Sequence, residues 1–258
     1  MDENMEFFTK KEIKALLVTI FIVALAFGFD DKKPTFDAGY WLANLFRMLI
    51  IVTIAFLMKE FVRKLVAKTQ GFDTEYGLWK IKRYRLKPVP AVINFLGKSW
   101  IVRSIPAGAI LSVLVTLISK GKLFFVAIGS YDLIIRKSGR FGKKTFHITD
   151  YDEAKIAVVG PLVNVALMIT FQFFNKNGMF DSFVFINGMI AAFHMIPVSS
   201  LDGAKIFFGS KVMYMFTLAF VLGTVLLIKV LAPVITLALA GIFALIFVSI
   251  YYYYRIYK

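Results

Sequence analysis

Long apolar runs are the feature of this chain that most restricts its fold. Several of them reach or approach about 20 residues, the length with which a helix crosses about 30 Å of hydrocarbon. Because lipid offers no water to backbone groups, such runs are predicted to be helices. They lie at about 13–29, 45–66, 105–119, 156–174, 183–197, 212–228 and 232–251. The sequence therefore predicts an all-α polytopic membrane protein with about six to seven membrane segments.

Composition narrows the chemistry of the chain. Hydrophobic residues make up 59% of the 258 residues, above the roughly 45–50% that is usual for soluble domains, so residues 1–258 are predicted to form a single membrane domain. Cysteine is absent, which excludes disulfides, thiolate zinc sites and cysteine nucleophiles. The formal net charge is +15. In so apolar a chain, basic loops are expected to face the cytoplasm and membrane lipid, and nucleic acid is not a predicted partner.

Basic residues between the apolar runs predict the topology. Segment 59–103 contains eleven lysines and arginines against three acidic residues, and segment 120–155 contains eight against four. Lysine and arginine concentrate in cytoplasmic loops, so both segments and the N-terminus are predicted to be cytoplasmic. Both segments share one side only if the run at 105–119, which contains Pro106 and Gly108, is re-entrant or part of a hairpin. A single crossing by this run is the alternative.

A small cytoplasmic β element is also predicted. The residues from Leu123 to Ile135 are rich in β-formers and lie between basic turns. Such runs favour strands, and Lys143 to Ile148 is a possible partner strand.

Two polar segments interrupt the apolar pattern where chemistry is possible. The first opens a span and contains Gly160, Pro161 and Asn164. The second follows the fifth run, where a proline breaks the helix, an acid follows it, and a glycine lets the backbone turn. An acid at the end of a membrane span is costly and usually has a partner. The second segment contains His194, Pro197, Leu201, Asp202 and Gly203.

These two segments resemble the site-2 protease family of intramembrane zinc proteases. The family pattern Asn-x-x-Pro-x-x-x-Leu-Asp-Gly places its third zinc ligand at the aspartate, which corresponds to Asp202, whereas His194 stands where the family has asparagine. The Gly-Pro-x-x-Asn helix of the family matches residues 160–164. The resemblance covers about residues 45–207 and leaves 1–44 and 208–258 as accessory helices.

The same resemblance implies that the zinc motif has been lost. The family carries His-Glu-x-x-His on an earlier helix, where residues four apart share a face and bind one zinc ion. The two histidines of the chain, His147 and His194, cannot form that motif. Lys59, Glu60 and Arg63 stand at the expected position. Both histidine ligands are thus replaced, while Glu60 keeps the position of the catalytic glutamate.

Gly71 and Trp79 follow the altered motif in a pattern similar to archaeal members of the family. The resemblance therefore implies a multi-pass protein of an archaeal plasma membrane.

Without its histidines the motif is predicted to bind no metal cofactor. Ammonium and guanidinium groups have no lone pair to give zinc, and their charge repels the cation. Glu60 then has no metal-activated water to deprotonate. Asp202 is instead expected to pair with Lys59 or Arg63, with an N···O distance within about 4 Å. The resemblance thus implies a catalytically inactive protein that binds or regulates transmembrane segments of other proteins.

Several alternatives stay open on the sequence alone. An active zinc protease would use a divergent ligand set formed by Glu60, His194 and Asp202. A transporter-like helical bundle would line a pathway with the charged residues. In a purely structural alternative, the cations near residue 60 extend to the headgroups and Asp202 caps a helix.

Overall fold

The computed structural model describes residues 7–82, 91–95, 98–102, 104–135 and 147–257. Helices dominate this part of the chain. They are α1 Lys10–Gly28, α2 Ala38–Thr69, α3 Ala107–Ile118, α4 Asp150–Phe173, α5 Asp181–His194, α6 Asp202–Gly209, α7 Lys211–Leu227 and α8 Pro233–Tyr257.

Three of these helices are long and apolar enough to cross a membrane: α2, α4 and residues 233–255 of α8. Helices α3 and α7 are apolar but shorter. Helix α5 has only 14 residues, and α1 carries four charged residues in its first turns, namely Lys10, Lys11, Glu12 and Lys14. The described residues therefore contain three clear candidate spans, and the larger number of six to seven segments stays a prediction.

Six short strands form three antiparallel pairs. The strands are β1 Phe72–Leu78, β2 Ile81–Lys82, β3 Ala91–Phe95, β4 Lys98–Val102, β5 Ser104–Ile105 and β6 Gly129–Ile135. They pair as β1 with β6, β2 with β5, and β3 with β4. The predicted small β element is present, and β6 forms its expected second half. Its partner is β1, with Tyr76 opposite Tyr131, whereas residues 143–146 of the expected partner lie outside the described residues.

Side-chain caps set where several helices begin. Thr9 and Glu12 form a reciprocal capping box at α1, and Thr149 and Asp152 form another at α4. Asp37 accepts hydrogen bonds from the backbone N–H groups of Gly39 and Tyr40 in the first turn of α2. These groups have no partner within the helix, so a side-chain oxygen stabilises the first turn. Helix α2 consequently begins several residues before the apolar run that predicted it.

The segment between β5 and β6 forms a hairpin. A Cβ added to Gly108, at the start of α3, would lie 2.7 Å from the carbonyl oxygen of Ala127. A Cβ added to Gly121, which follows α3, would lie 2.7 Å from the backbone nitrogen of Asp30 at the end of α1. Helix α3 therefore leads away from the sheet, and the chain returns to it at β6. Whether the run at 105–119 enters and leaves the membrane on one side or crosses it once stays a prediction.

Two apolar clusters enclose the polar centre of the bundle. The first packs α1, α2 and α5 around residues such as Val52, Phe56 and Ile190. The second packs α4, α6 and α7 around residues such as Ile156 and Ile206. The charged face of α2 lies between them, so its side chains are removed from both lipid and water.

Candidate functional site

Three charged residues in the second half of α2 share one buried face. Lys59, Glu60 and Arg63 are at most 2% exposed, and α2 continues without a break to Thr69. The prediction that Lys59 and Arg63 lie on the same face of a helix is confirmed. The structural alternative in which these cations extend to the headgroups is wrong, because their side chains end inside the protein.

Arg63 joins α2 to the start of α6. Its Nη2 donates a hydrogen bond to Oδ2 of Asp202 at 2.5 Å, and its Nη1 donates to both carboxylate oxygens of Glu60 at 3.0 and 3.2 Å. The ring of Tyr131 lies 4.5 Å from the guanidinium carbon. The predicted ion pair of Asp202 is therefore confirmed, and its partner is Arg63 rather than Lys59.

Lys59 joins α2 to the end of α5. Its Nζ lies 2.7 Å from Nε2 of His194 and 3.3 Å from Oε1 of Glu60. Nδ1 of His194 lies 2.7 Å from the carbonyl oxygen of Ile190. A carbonyl only accepts, so this contact assigns the proton to Nδ1 and leaves Nε2 as the acceptor for the Lys59 ammonium. Together the two cations tie α2 to α5 and α6.

The Leu-Asp-Gly segment has a different geometry from the predicted turn. Asp202 is the first residue of α6, and Leu201 is its N-cap without any side-chain cap. The alternative in which Asp202 caps a helix is wrong, because its carboxylate points to Arg63. Gly203 lies inside the first helical turn, and a Cβ there would overlap the backbone of Met195 and lie 2.6 Å from the carbonyl oxygen of Ile196. Gly203 thus permits close packing rather than a turn.

The Gly-Pro segment borders the same ion pair. A Cβ added to Gly160 would overlap the guanidinium of Arg63 and would lie 3.0 Å from Oδ2 of Asp202. Pro161 and Asn164 are also buried in α4, and neither amide atom of Asn164 has a hydrogen-bond partner within the described part of the chain. Pro197 is exposed in the turn after α5. The two motif segments therefore meet the altered zinc motif at one point.

Three residues that the sequence did not single out extend the network. Nζ of Lys205 donates to the carbonyl oxygen of Tyr131 and lies 3.3 Å from Oε1 of Glu153. Burial raises the pKa of the Tyr131 phenol, so its hydroxyl stays protonated and donates to the carbonyl oxygen of Glu153 at 3.0 Å. The signal for Lys205 was its spacing of three residues from Asp202, which places both on one side of a helix.

A second buried ion pair joins α1 to α2. Nζ of Lys64 lies 2.7 Å from both carboxylate oxygens of Glu12, which also accepts the backbone N–H of Tyr76 at 3.0 Å. Lys64 and Glu12 are 3% and 1% exposed. A single acid at the start of an apolar run was the signal that could have revealed this pair. It holds α1, α2 and β1 together beside the main network.

The observed contacts do not fit a zinc ion. Glu60, His194 and Asp202 are each bound by a cationic side chain of α2, which has no lone pair for a metal. Over the residues that the structure describes, no three histidine or carboxylate side chains form a group that could hold a metal. His147 is exposed in the loop before α4. The donor set required by an active zinc protease is therefore engaged in ion pairs and hydrogen bonds.

Comparisons with protein-family models, with curated proteins and with solved structures gave no match to this chain. The resemblance to site-2 proteases therefore stays an expectation that rests on the motif residues of the sequence.

Proposed function

We propose that this chain is a catalytically inactive, site-2-protease-like membrane protein that holds transmembrane segments of other proteins without cutting them. One observation carries the proposal. The guanidinium of Arg63 lies between Gly160 and Asp202, in contact with Glu60. The residues that match three separate family motifs thus converge on a fixed cation where the family would hold its metal.

The same contacts argue against hydrolysis. A zinc protease needs a metal-bound water whose pKa is lowered to about 7 and a carboxylate free to take its proton. The Glu60 carboxylate binds Arg63 through both oxygens and approaches Lys59. A carboxylate so engaged is a structural acceptor rather than a general base.

The outer edge of β6 is the proposed docking place for a partner segment. At the pair Tyr76 and Tyr131, the Tyr76 N–H points to Glu12 and the Tyr131 carbonyl points to Lys205. Both groups therefore face away from the partner strand, as in a non-hydrogen-bonded antiparallel pair. Because every second residue of a strand directs its backbone N–H and C=O groups to the same edge, the backbone groups of Leu133 face this edge as well. The Tyr131 carbonyl already accepts from Lys205, so an extended segment is proposed to pair with the backbone of Leu133 at this edge, beside the ion network.

Photo-crosslinking in proteoliposomes tests this function. Leu133 is replaced with a photoreactive residue, and the protein is reconstituted with one of two synthetic transmembrane peptides. One peptide has a Gly-Pro pair that destabilises the helix at its centre, and the other has only leucine there. We expect the Gly-Pro peptide to crosslink at Leu133 and to keep its full mass, because an unwound centre offers backbone groups to β6.

The matched control places the same photoreactive residue at Leu239, on the exposed side of α8. Equal crosslinking at both positions would contradict docking at β6. Cleavage of the peptide that disappears in a Glu60→Gln variant would contradict the loss of catalysis.

A further inference from the structure

Arg47 occupies an unusual position on α2. It lies twelve residues before Lys59, which corresponds to about 18 Å along the helix. This distance is shorter than the roughly 30 Å thickness of the hydrocarbon core of a bilayer. Ile50 and Ile54 between them are 46% and 40% exposed, which is the exposure expected of a stretch that faces lipid when α2 crosses a membrane. Lys59 is enclosed by protein, whereas Arg47 is exposed. An exposed guanidinium is costly in hydrocarbon, which places Arg47 at the level of the headgroups.

Arg47 lines a polar cavity of about 490 Å³ between the end of α1, the start of α2, the turn after α3 and the start of α5. Lys32 and Lys122 add two cations to its lining, and Asp30 and Asp31 add two carboxylates. Oδ2 of Asp31 is inaccessible to solvent and has no hydrogen-bond partner within the described ranges. The cavity thus offers cations for an anion and carboxylates for a cationic group.

Arg47 also lines an apolar groove of about 370 Å³ between α2, the end of α4 and the start of α5. Ile50, Ile54 and Phe183 form part of its wall. Ile54 lies seven residues beyond Arg47, or about 10 Å farther toward the hydrocarbon. Arg47 lines both the cavity and the groove, so a ligand that fits both must carry charge at one end and an aliphatic chain at the other.

We infer that Arg47 binds the phosphate of one bilayer phospholipid whose headgroup carries an ammonium group. The guanidinium matches phosphate geometry and forms charge-assisted hydrogen bonds with it. The ammonium group pairs with the carboxylates of Asp30 and Asp31 that line the cavity, and one hydrocarbon chain lies in the groove along Ile50 and Ile54. This inference depends on the membrane location of α2 and is independent of the proposed function.

Native mass spectrometry of delipidated protein, titrated with phosphatidylethanolamine in detergent, tests the site. The unmodified chain is expected to retain one lipid, and Arg47→Gln is expected to weaken binding about tenfold or more, because a charge-assisted hydrogen bond is lost. Arg255→Gln, at the exposed end of α8, is the matched control and should bind as the unmodified chain does. Helix content is compared among the variants, so that a folding defect is recognised.

Two further ligands separate the parts of the site. Diacylglycerol has the chains without the phosphate, and glycerophosphoethanolamine has the headgroup without the chains; both are expected to bind at least about tenfold more weakly. If diacylglycerol binds as well as phosphatidylethanolamine, the cavity does not bind the headgroup. If glycerophosphoethanolamine binds as well, the groove does not bind a hydrocarbon chain. Equal retention of phosphatidylethanolamine by the folded Arg47→Gln and Arg255→Gln variants would overturn the inference as a whole.

Discussion

Replacing Asp202 with alanine is expected to lower the free energy of unfolding by about 3–5 kcal/mol. Asp202 and Arg63 are each 1% exposed, and their ion pair has an N···O distance of 2.5 Å. Removing the carboxylate leaves the Arg63 guanidinium in a low-dielectric interior with Glu60 as its remaining carboxylate partner. An uncompensated buried charge is far more costly than the loss of one contact. Reversible unfolding in mixed detergent micelles measures the change.

Two comparisons separate this effect from a general loss of an acidic residue. Asp132→Ala, at an exposed position of β6, should change the free energy of unfolding by no more than about 0.5 kcal/mol. Combining Asp202→Ala with Arg63→Met should recover much of the loss, because the stranded cation is then gone. If Asp202→Ala is no more destabilising than Asp132→Ala, the ion pair does not stabilise the folded protein.

Replacing Gly160 with alanine is expected to cost about 2–4 kcal/mol, since overpacking alone typically costs about 1–3 kcal/mol and displacement of a buried ion pair adds to it. The new Cβ would overlap the guanidinium of Arg63 and crowd Oδ2 of Asp202. The guanidinium cannot move aside without losing its carboxylate partners. The same micelle unfolding assay gives the magnitude.

Gly241→Ala is the matched control for this substitution. Gly241 lies within α8, and a Cβ there would have no neighbour within 4 Å. Alanine should therefore be neutral or stabilise the helix by up to about 1 kcal/mol. In an Arg63→Met background, Gly160→Ala should cost less than it does in the unmodified chain. Equal costs in both backgrounds would show that Gly160 acts independently of Arg63.

The central contacts of the site could be predicted because they follow from local periodicity and from the cost of burying charge. Lys59 and Arg63 are four residues apart, which places them on one face of any helix. Asp202 follows an apolar span, where an unpaired carboxylate is unfavourable, so an opposite charge had to approach it. The sequence did not decide between Lys59 and Arg63, because that choice depends on how α6 is placed against α2.

Contacts between distant parts of the chain could not be predicted in the same way. The pairing of β1 with β6 joins strands separated by the hairpin that contains α3, and its register depends on packing against α1. The pair of Glu12 and Lys64 spans 52 residues, and both residues stood in polar stretches typical of a headgroup region. Gly203 suggested a turn, whereas its real role follows from the close approach of the segment after α5.

In the proposed function, the buried network holds together the segments that a metal ion would otherwise join. In the family that the chain resembles, one ion draws the motif helix and the Leu-Asp-Gly segment together. Here Arg63 joins α2 to α6, and Lys59 joins α2 to α5 through His194. With His194 neutral, two cations face the two carboxylates of Glu60 and Asp202, so the central network is balanced without a metal ion.

Zinc content of the detergent-purified protein tests most directly whether the two cations have replaced the metal. Elemental analysis of the unmodified chain should find far less than one zinc per chain, and a chelator should leave its unfolding unchanged. The double variant Lys59→His with Arg63→His should gain zinc binding, because it rebuilds His-x-x-x-His beside Asp202. One zinc per chain in the unmodified protein, abolished by Asp202→Ala, would contradict the replacement of the metal by Lys59 and Arg63.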